Sequence, residues 1–188
     1  MKSLIKLGGT LFAFCAISAL LLAGTNEITA PIIAQRNEIA SNQARISVLP
    51  SAKEFKKIDA NKYKSANAAT VSEVYAGEAG GKTVGYTIKA NPSGYGGPVE
   101  LTIGISEDGK ITGVSVGNNN ETPGLGAKAK DPEFNGQYKG KEAKELEVIK
   151  AGNPTENQIK AISGATITSK AVTSGVNDAI KVFDTLKK

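Results

Sequence analysis

An uncharged apolar run near the N-terminus limits what this chain can be more than any other feature. From Leu7 to Gly24 there is no charged side chain, and residues 11–23 read Leu-Phe-Ala-Phe-Cys-Ala-Ile-Ser-Ala-Leu-Leu-Leu-Ala. About 20 apolar residues span a bilayer core as a helix, and Leu4 and Ile5 bring the run to that length when Lys6 snorkels to the interface. Lys2 and Lys6 precede the run and Glu27 follows it. The positive-inside rule then predicts a cytoplasmic N-terminus and an extracytoplasmic remainder, on a cell membrane crossed once. A cleaved signal peptide competes with this reading, but Leu21 precedes Ala23 where an A-x-A cleavage site wants a small residue. Phe14 before Cys15 argues against a lipoprotein signal in the same way. Residues 1–25 are therefore read as a cytoplasmic N-terminus and transmembrane helix.

The rest of the composition excludes whole classes of chemistry. Among 188 residues there is no histidine, no tryptophan and one cysteine, Cys15. That removes Ser-His-Asp and Cys-His catalysis and imidazole ligation of a metal. A single thiol closes no intrachain disulfide and holds no iron–sulfur cluster. No metal site is expected. The net charge is +5, of which Lys2 and Lys6 supply two and leave +3 for the remainder. The other lysines are dispersed among acids, so a nucleic-acid partner is not expected. With so little reactive chemistry of its own, the chain points to a cofactor.

Residues 26–69 are read as an amphipathic helix and a connector. Ile32, Ile33, Ile39, Ala40 and Ile46 recur at helical spacing, and Pro31 either starts this helix or kinks a continuation of the anchor. Pro50 closes it, and residues 51–69 read as a polar connector with at most a turn of helix. Residues 70–188 are read as the globular domain. Strands are expected at 71–75 and 82–89 around a Gly77–Gly81 hairpin loop, at 99–105 and 111–116 around Asp108-Gly109, and at 146–149. A final helix from about Thr168 would bury Val172, Val176, Ala179, Ile180, Phe183 and Leu186. The sum is an α+β fold, an antiparallel sheet packed with helices behind one N-terminal transmembrane helix. No strand–helix alternation with a G-x-G-x-x-G turn suggests a Rossmann domain.

Three glycine-rich segments are candidate cofactor loops: Gly94-Tyr95-Gly96-Gly97-Pro98, Glu121-Thr122-Pro123-Gly124-Leu125-Gly126, and Ser163-Gly164-Ala165-Thr166-Ile167-Thr168-Ser169. Glycine lets backbone N–H groups approach a ligand, and N–H groups at a helix start attract phosphate. Each segment also has a plain reading: the first two as turns, the third as helix capping by Thr166 or Thr168. Capping uses one hydroxyl and leaves Ser163 and its Gly164-Ala165 spacing unexplained.

These three ordered motifs, with the single anchor, resemble the FMN-binding domain shared by the G subunit of the Rnf electron-transport complex and the C subunit of the sodium-translocating NADH:quinone reductase. The short chain looks more like the Rnf protein. The resemblance implies that Thr166, last of the Ser163-Gly164-Ala165-Thr166 motif, carries FMN through a phosphoester installed from FAD by a flavin transferase. It implies a flavin site built from Ser163, Gly164, Ala165, Thr166, Thr168 and Ser169 together with Glu121, Thr122, Gly124, Leu125 and Gly126. It further implies an electron relay with no self-contained substrate site, among other membrane and iron–sulfur subunits, in a complex that couples ferredoxin and NAD to movement of Na⁺ or H⁺. One position departs from the motif: Lys160 stands where Asp is usual, three residues before the serine. Competing readings are a membrane-tethered binding or adhesion module without cofactor, and an FMN-domain subunit of another redox chain. A pilin-like subunit is disfavoured, because Lys6 stands where an acidic residue is wanted.

Overall fold

The computed structural model describes residues 2–187. Helix α1 runs Lys2–Val48, and the chain divides between Asn42 and Gln43 into two compact units. In the first, the large apolar side chains from Leu4 to Leu22 are all exposed, as a lipid-facing helix requires. Among the described residues α1 is the one helix long and apolar enough to cross a membrane. The hydroxyls of Thr10 and Thr25 donate to the carbonyls of Lys6 and Leu21 at 2.8 Å, so neither needs water. Of the two expectations for Pro31, continuation of the anchor is the one realised, since the helix runs through it. Pro50 lies just past its end.

The second unit is built on an antiparallel sheet of five strands in sequence order: β1 Glu54–Lys57, β2 Val71–Ala79, β3 Lys82–Ala90, β4 Leu101–Ser106 and β5 Ile111–Val116. A short helix α2 (Pro132–Asn135) and a parallel pair, β6 Glu147–Ile149 with β7 Gln158–Lys160, lead into the terminal helix α3, Thr166–Leu186. The architecture is the α+β fold expected. Residues on β4 alternate between two environments. Leu101, Ile103 and Ile105 belong to the buried core with Val172, Val176, Ala179, Ile180 and Phe183 of α3. Contact there is close: a Cβ on Gly175 of α3 would stand 2.7 Å from Leu101 Cδ1. Edge-on packing of Tyr86 against Phe183, centroids 5.9 Å apart, extends the same face.

The opposite face carries glycine pairs, Gly77 beside Gly85 and Gly104 beside Gly113. They make room for the end of α1. Leu49 is fully buried, and a Cβ on Gly77 would lie 2.5 Å from its Cδ2, while one on Gly104 would collide with the Val48 carbonyl. Thr112 Oγ1 donates to that carbonyl, and the Arg45 guanidinium lies 4.0 Å over the Tyr75 ring. Gly77 therefore belongs to a strand rather than to the expected loop, and the β2–β3 turn is made by Gly80 and Gly81, with φ of 59° and 77°. The connector is also more structured than its polar sequence suggests. It holds β1 and two 3₁₀ turns, Ala60–Lys62 and Lys64–Ala66. Strand β1 has no apolar alternation because it is an edge, tied by Lys56–Glu78 and Lys57–Glu73 ion pairs of 2.6 Å.

Candidate functional site

The Ser163–Ser169 segment owes its shape to its own hydrogen bonds. The side-chain amide of Gln137 grips the backbone of Lys160 at the end of β7: the Lys160 N–H donates to Oε1 at 2.8 Å and Nε2 donates to the Lys160 carbonyl at 3.2 Å. Ser169 Oγ then accepts from the Ile162 N–H at 3.0 Å and donates to the Ala165 carbonyl at 2.9 Å, closing the turn on itself. Gly164 sits within that turn at φ +75°, a conformation that a side chain disfavours. Ala165 is buried, where a small residue is needed, and precedes the first residue of α3 without a side-chain cap. Capping by Thr166 or Thr168, the plain reading of these hydroxyls, is thus not what they do.

The four hydroxyls divide into two pairs. Thr168 and Ser169 are buried and engaged, Thr168 Oγ1 donating to Glu121 Oε2 at 2.5 Å. Ser163 is exposed and Thr166 half-buried. Among the described residues no hydrogen bond is made by either of their hydroxyls.

Glu121 joins the three glycine segments. The residue is only 6% exposed. Oε1 accepts from the Gly96 N–H at 3.0 Å and Oε2 from Thr168. Gly94 and Gly126 pack against the same group, each with no room for a Cβ beside it. Its own N–H is held by Asn119 Oδ1 at 3.2 Å. The following turn is fixed by N–H groups of Leu125 and Ala127, both donating to the Thr122 carbonyl, with Gly124 at φ +77°. Thr122, Gly124 and Leu125 are at the surface, whereas Glu121 and Gly126 lie beneath it. Glu121 thus faces inward, joining loops.

Two features go beyond the sequence reading, which names Leu125 but neither Tyr95 nor Ile167 among its site residues. From residue 50 onward the exposed large apolar side chains are Tyr95, Leu125 and Ile167, at 72%, 43% and 56%. One stands on each glycine segment. A Cβ on Gly164 would be 3.1 Å from Leu125 Cδ2, so Leu125 lies over the turn that precedes Thr166. The second feature is a groove of about 490 Å³ that places Thr166, Ser163 and Gly164 with Lys150, Gly152 and Lys160. A neighbouring groove of about 470 Å³ shares the Lys160–Ser163 wall and is lined across from it by Phe134, Gln137 and Pro154. Lys150, Gly152, Phe134 and Pro154 come from loops and a short helix with no motif of their own. Volumes of this size suit a nucleotide, and an unpartnered hydroxyl beside two lysines fits an esterified phosphate.

The fold and these loops define an FMN-binding-domain protein with one candidate membrane span: residues 94–181 match the FMN-binding domain family and residues 1–46 the RnfG N-terminal region. The chain is 45% identical to the G subunit of the Na⁺-translocating ferredoxin:NAD⁺ oxidoreductase complex of Acetobacterium woodii, covering all of this chain and 95% of that one. It is 39% identical to the G subunit of the proton-translocating complex of Clostridium ljungdahlii, covering 91% of this chain and 86% of that one. It belongs to the RnfG family. Among solved structures, NqrC of Shewanella oneidensis has the same fold, with a TM-score of 0.57 at 20% identity over 78% of this chain and 95% of that one. The C subunit of the Na⁺-translocating NADH-quinone reductase of Parabacteroides distasonis matches at 0.58 and 25% identity, over 73% of this chain and 78% of that one.

Proposed function

We propose that this chain carries one FMN, esterified through its phosphate to Thr166 Oγ1, and relays electrons within an ion-translocating ferredoxin:NAD oxidoreductase complex. The observation that supports it most directly is the division of hydroxyls: Thr168 and Ser169 are committed to internal bonds, while Thr166, beside Ser163, lines a nucleotide-sized groove with no partner among the described residues. The bound flavin supplies one- and two-electron chemistry that no side chain here provides. The protein's part is to hold and orient it. Lys150 and Lys160 face the single negative charge of the phosphodiester, and the N–H groups that open α3 add to that field. Leu125, with Ile167 and Tyr95, offers apolar surface to the ring, and Thr122 and Gly124 border it. Residues 70–188 form the flavin domain, outside the cytoplasm. A covalent link keeps the cofactor where a dissociable one would be lost by dilution.

A flavin transferase is the maturation partner, using FAD. Co-expression with such a transferase tests the reading: purified protein is expected to show a flavin spectrum that persists after denaturation and gel separation. A colourless protein from that co-expression would favour the tethered binding module. Lys160, in place of the usual Asp, bears on how the transferase recognises the segment.

A further inference from the structure

We propose that Glu121 is the positioning residue that presents Thr166 rather than Thr168 for modification; this rests on the attachment reading above. Three observations lead to it. The carboxylate is buried, yet among the described residues no lysine or arginine forms an ion pair with it. Burying a charged group without a counter-ion is unfavourable unless hydrogen bonds and function compensate. Its two side-chain bonds come from different loops, the Gly96 N–H on one side and Thr168 Oγ1 on the other. Finally, the backbones of Gly94 and Gly126 approach the carboxylate so closely that a Cβ on either would collide with its oxygens.

The consequence lies in helix geometry. Side chains two apart on a helix point roughly 200° away from each other at 3.6 residues per turn. Holding Thr168 against Glu121, inside the protein, turns Thr166 toward the groove with Lys150 and Lys160. Ser169 is kept inside by its own bonds to Ile162 and Ala165. Thr168 has the same hydroxyl chemistry as Thr166 and is withdrawn from modification by its burial together with its bond to Glu121. The step that this selects forms a bond from Thr166 Oγ1 to the flavin-bearing phosphorus of FAD and breaks the pyrophosphate P–O bond. Adenosine monophosphate leaves, and the threonine proton goes to its phosphate.

The test uses full-length protein co-expressed with a flavin transferase. Labelled fraction is read by intact mass, label position by fragmentation of the 161–170 peptide, and folding by thermal melting. The double variant Glu121→Gln/Thr168→Val removes the link without leaving a carboxylate in place of the lost partner, and thermal melting checks that it is folded. Its labelled fraction is expected to fall about tenfold or more, whereas Glu121→Gln alone, which keeps a polar partner for both loops, stays within about twofold of wild type. In Glu121→Ala, label is expected to appear on Thr168 as well as Thr166. A folded double variant labelled as fully as wild type, or Glu121→Ala labelled fully and only on Thr166, would overturn the role of Glu121. An unlabelled wild type would instead overturn the attachment itself.

Discussion

Gly126 and Gly124 stand two residues apart in one loop and are needed for different reasons. At Gly126 the obstacle is space: a Cβ would lie 2.6 Å from Thr168 Oγ1 and run into the Glu121 carboxylate. At Gly124 nothing lies within 4 Å, but φ is +77°. Gly126→Ala is therefore expected to lower stability in urea by about 1–3 kcal/mol through overpacking, and to lower flavin labelling with it. Gly124→Ala should cost about 1–2 kcal/mol from backbone strain alone and leave labelling intact. Equal effects of the two on labelling would contradict this division. That the loop matters was legible from its glycines; that Glu121 turns inward was not. A glutamate opening a surface turn gives no sign of its direction, and only the meeting of three distant segments makes it a buried hub. The same applies to Thr168, whose hydroxyl looks like a helix cap until Glu121 is beside it.

Among the elements, α3 was readable because its apolar face repeats at 3.6 residues, and β4 and β5 because they alternate around Asp108-Gly109. Strands β1 and β7 escaped for a physical reason. Each is three or four residues long and pairs on one side, so neighbouring backbone rather than an apolar pattern specifies it. Gly77 was expected in a loop for a similar reason, since it answers to Leu49, and the need for glycine at Gly104 and Gly113 within their expected strands comes from Val48; both partners are distant in sequence. The residue that leads into β2 is tied to α3 by Asp178, whose carboxylate accepts from Thr70 Oγ1 at 2.7 Å, from the Thr70 N–H at 3.2 Å and from Lys181 Nζ at 3.0 Å. Burial pushes this carboxyl up, but those hydrogen bonds and the Lys181 charge outweigh it and hold it below the usual aspartate value. A depressed value in the folded state stabilises above the unfolded value of about 3.9 and ceases to do so as pH falls through the folded one. Asp178→Asn is expected to cost about 1–3 kcal/mol at neutral pH and to flatten the loss of stability below about pH 4. Denaturant unfolding of both proteins at pH 7 and pH 3 measures it, and parallel pH profiles would contradict it.

At the scale of the whole molecule, one helix that is a candidate membrane span precedes one FMN-binding domain. Lys2 and Lys6 before the span and Glu27 after it predict a cytoplasmic N-terminus. Protease added to spheroplasts is expected to digest the chain beyond Glu27, and protection there with cleavage only in inverted vesicles would reverse the topology. Relatives of similar identity are named for translocation of sodium in one case and protons in the other, so family membership leaves the ion open. The proposed function turns on a single oxygen atom, Thr166 Oγ1. Trypsin cutting at Lys160 and Lys170 releases residues 161–170, which contain Ser163, Thr166, Thr168 and Ser169 together. Fragmentation mass spectrometry of that peptide, from wild type and Thr166→Val made with an active transferase, is the direct measurement. The expected result is the FMN mass on Thr166 in wild type and an unmodified peptide from a folded Thr166→Val protein; FMN on Ser163, Thr168 or Ser169 in wild type, or no FMN at all, would contradict it.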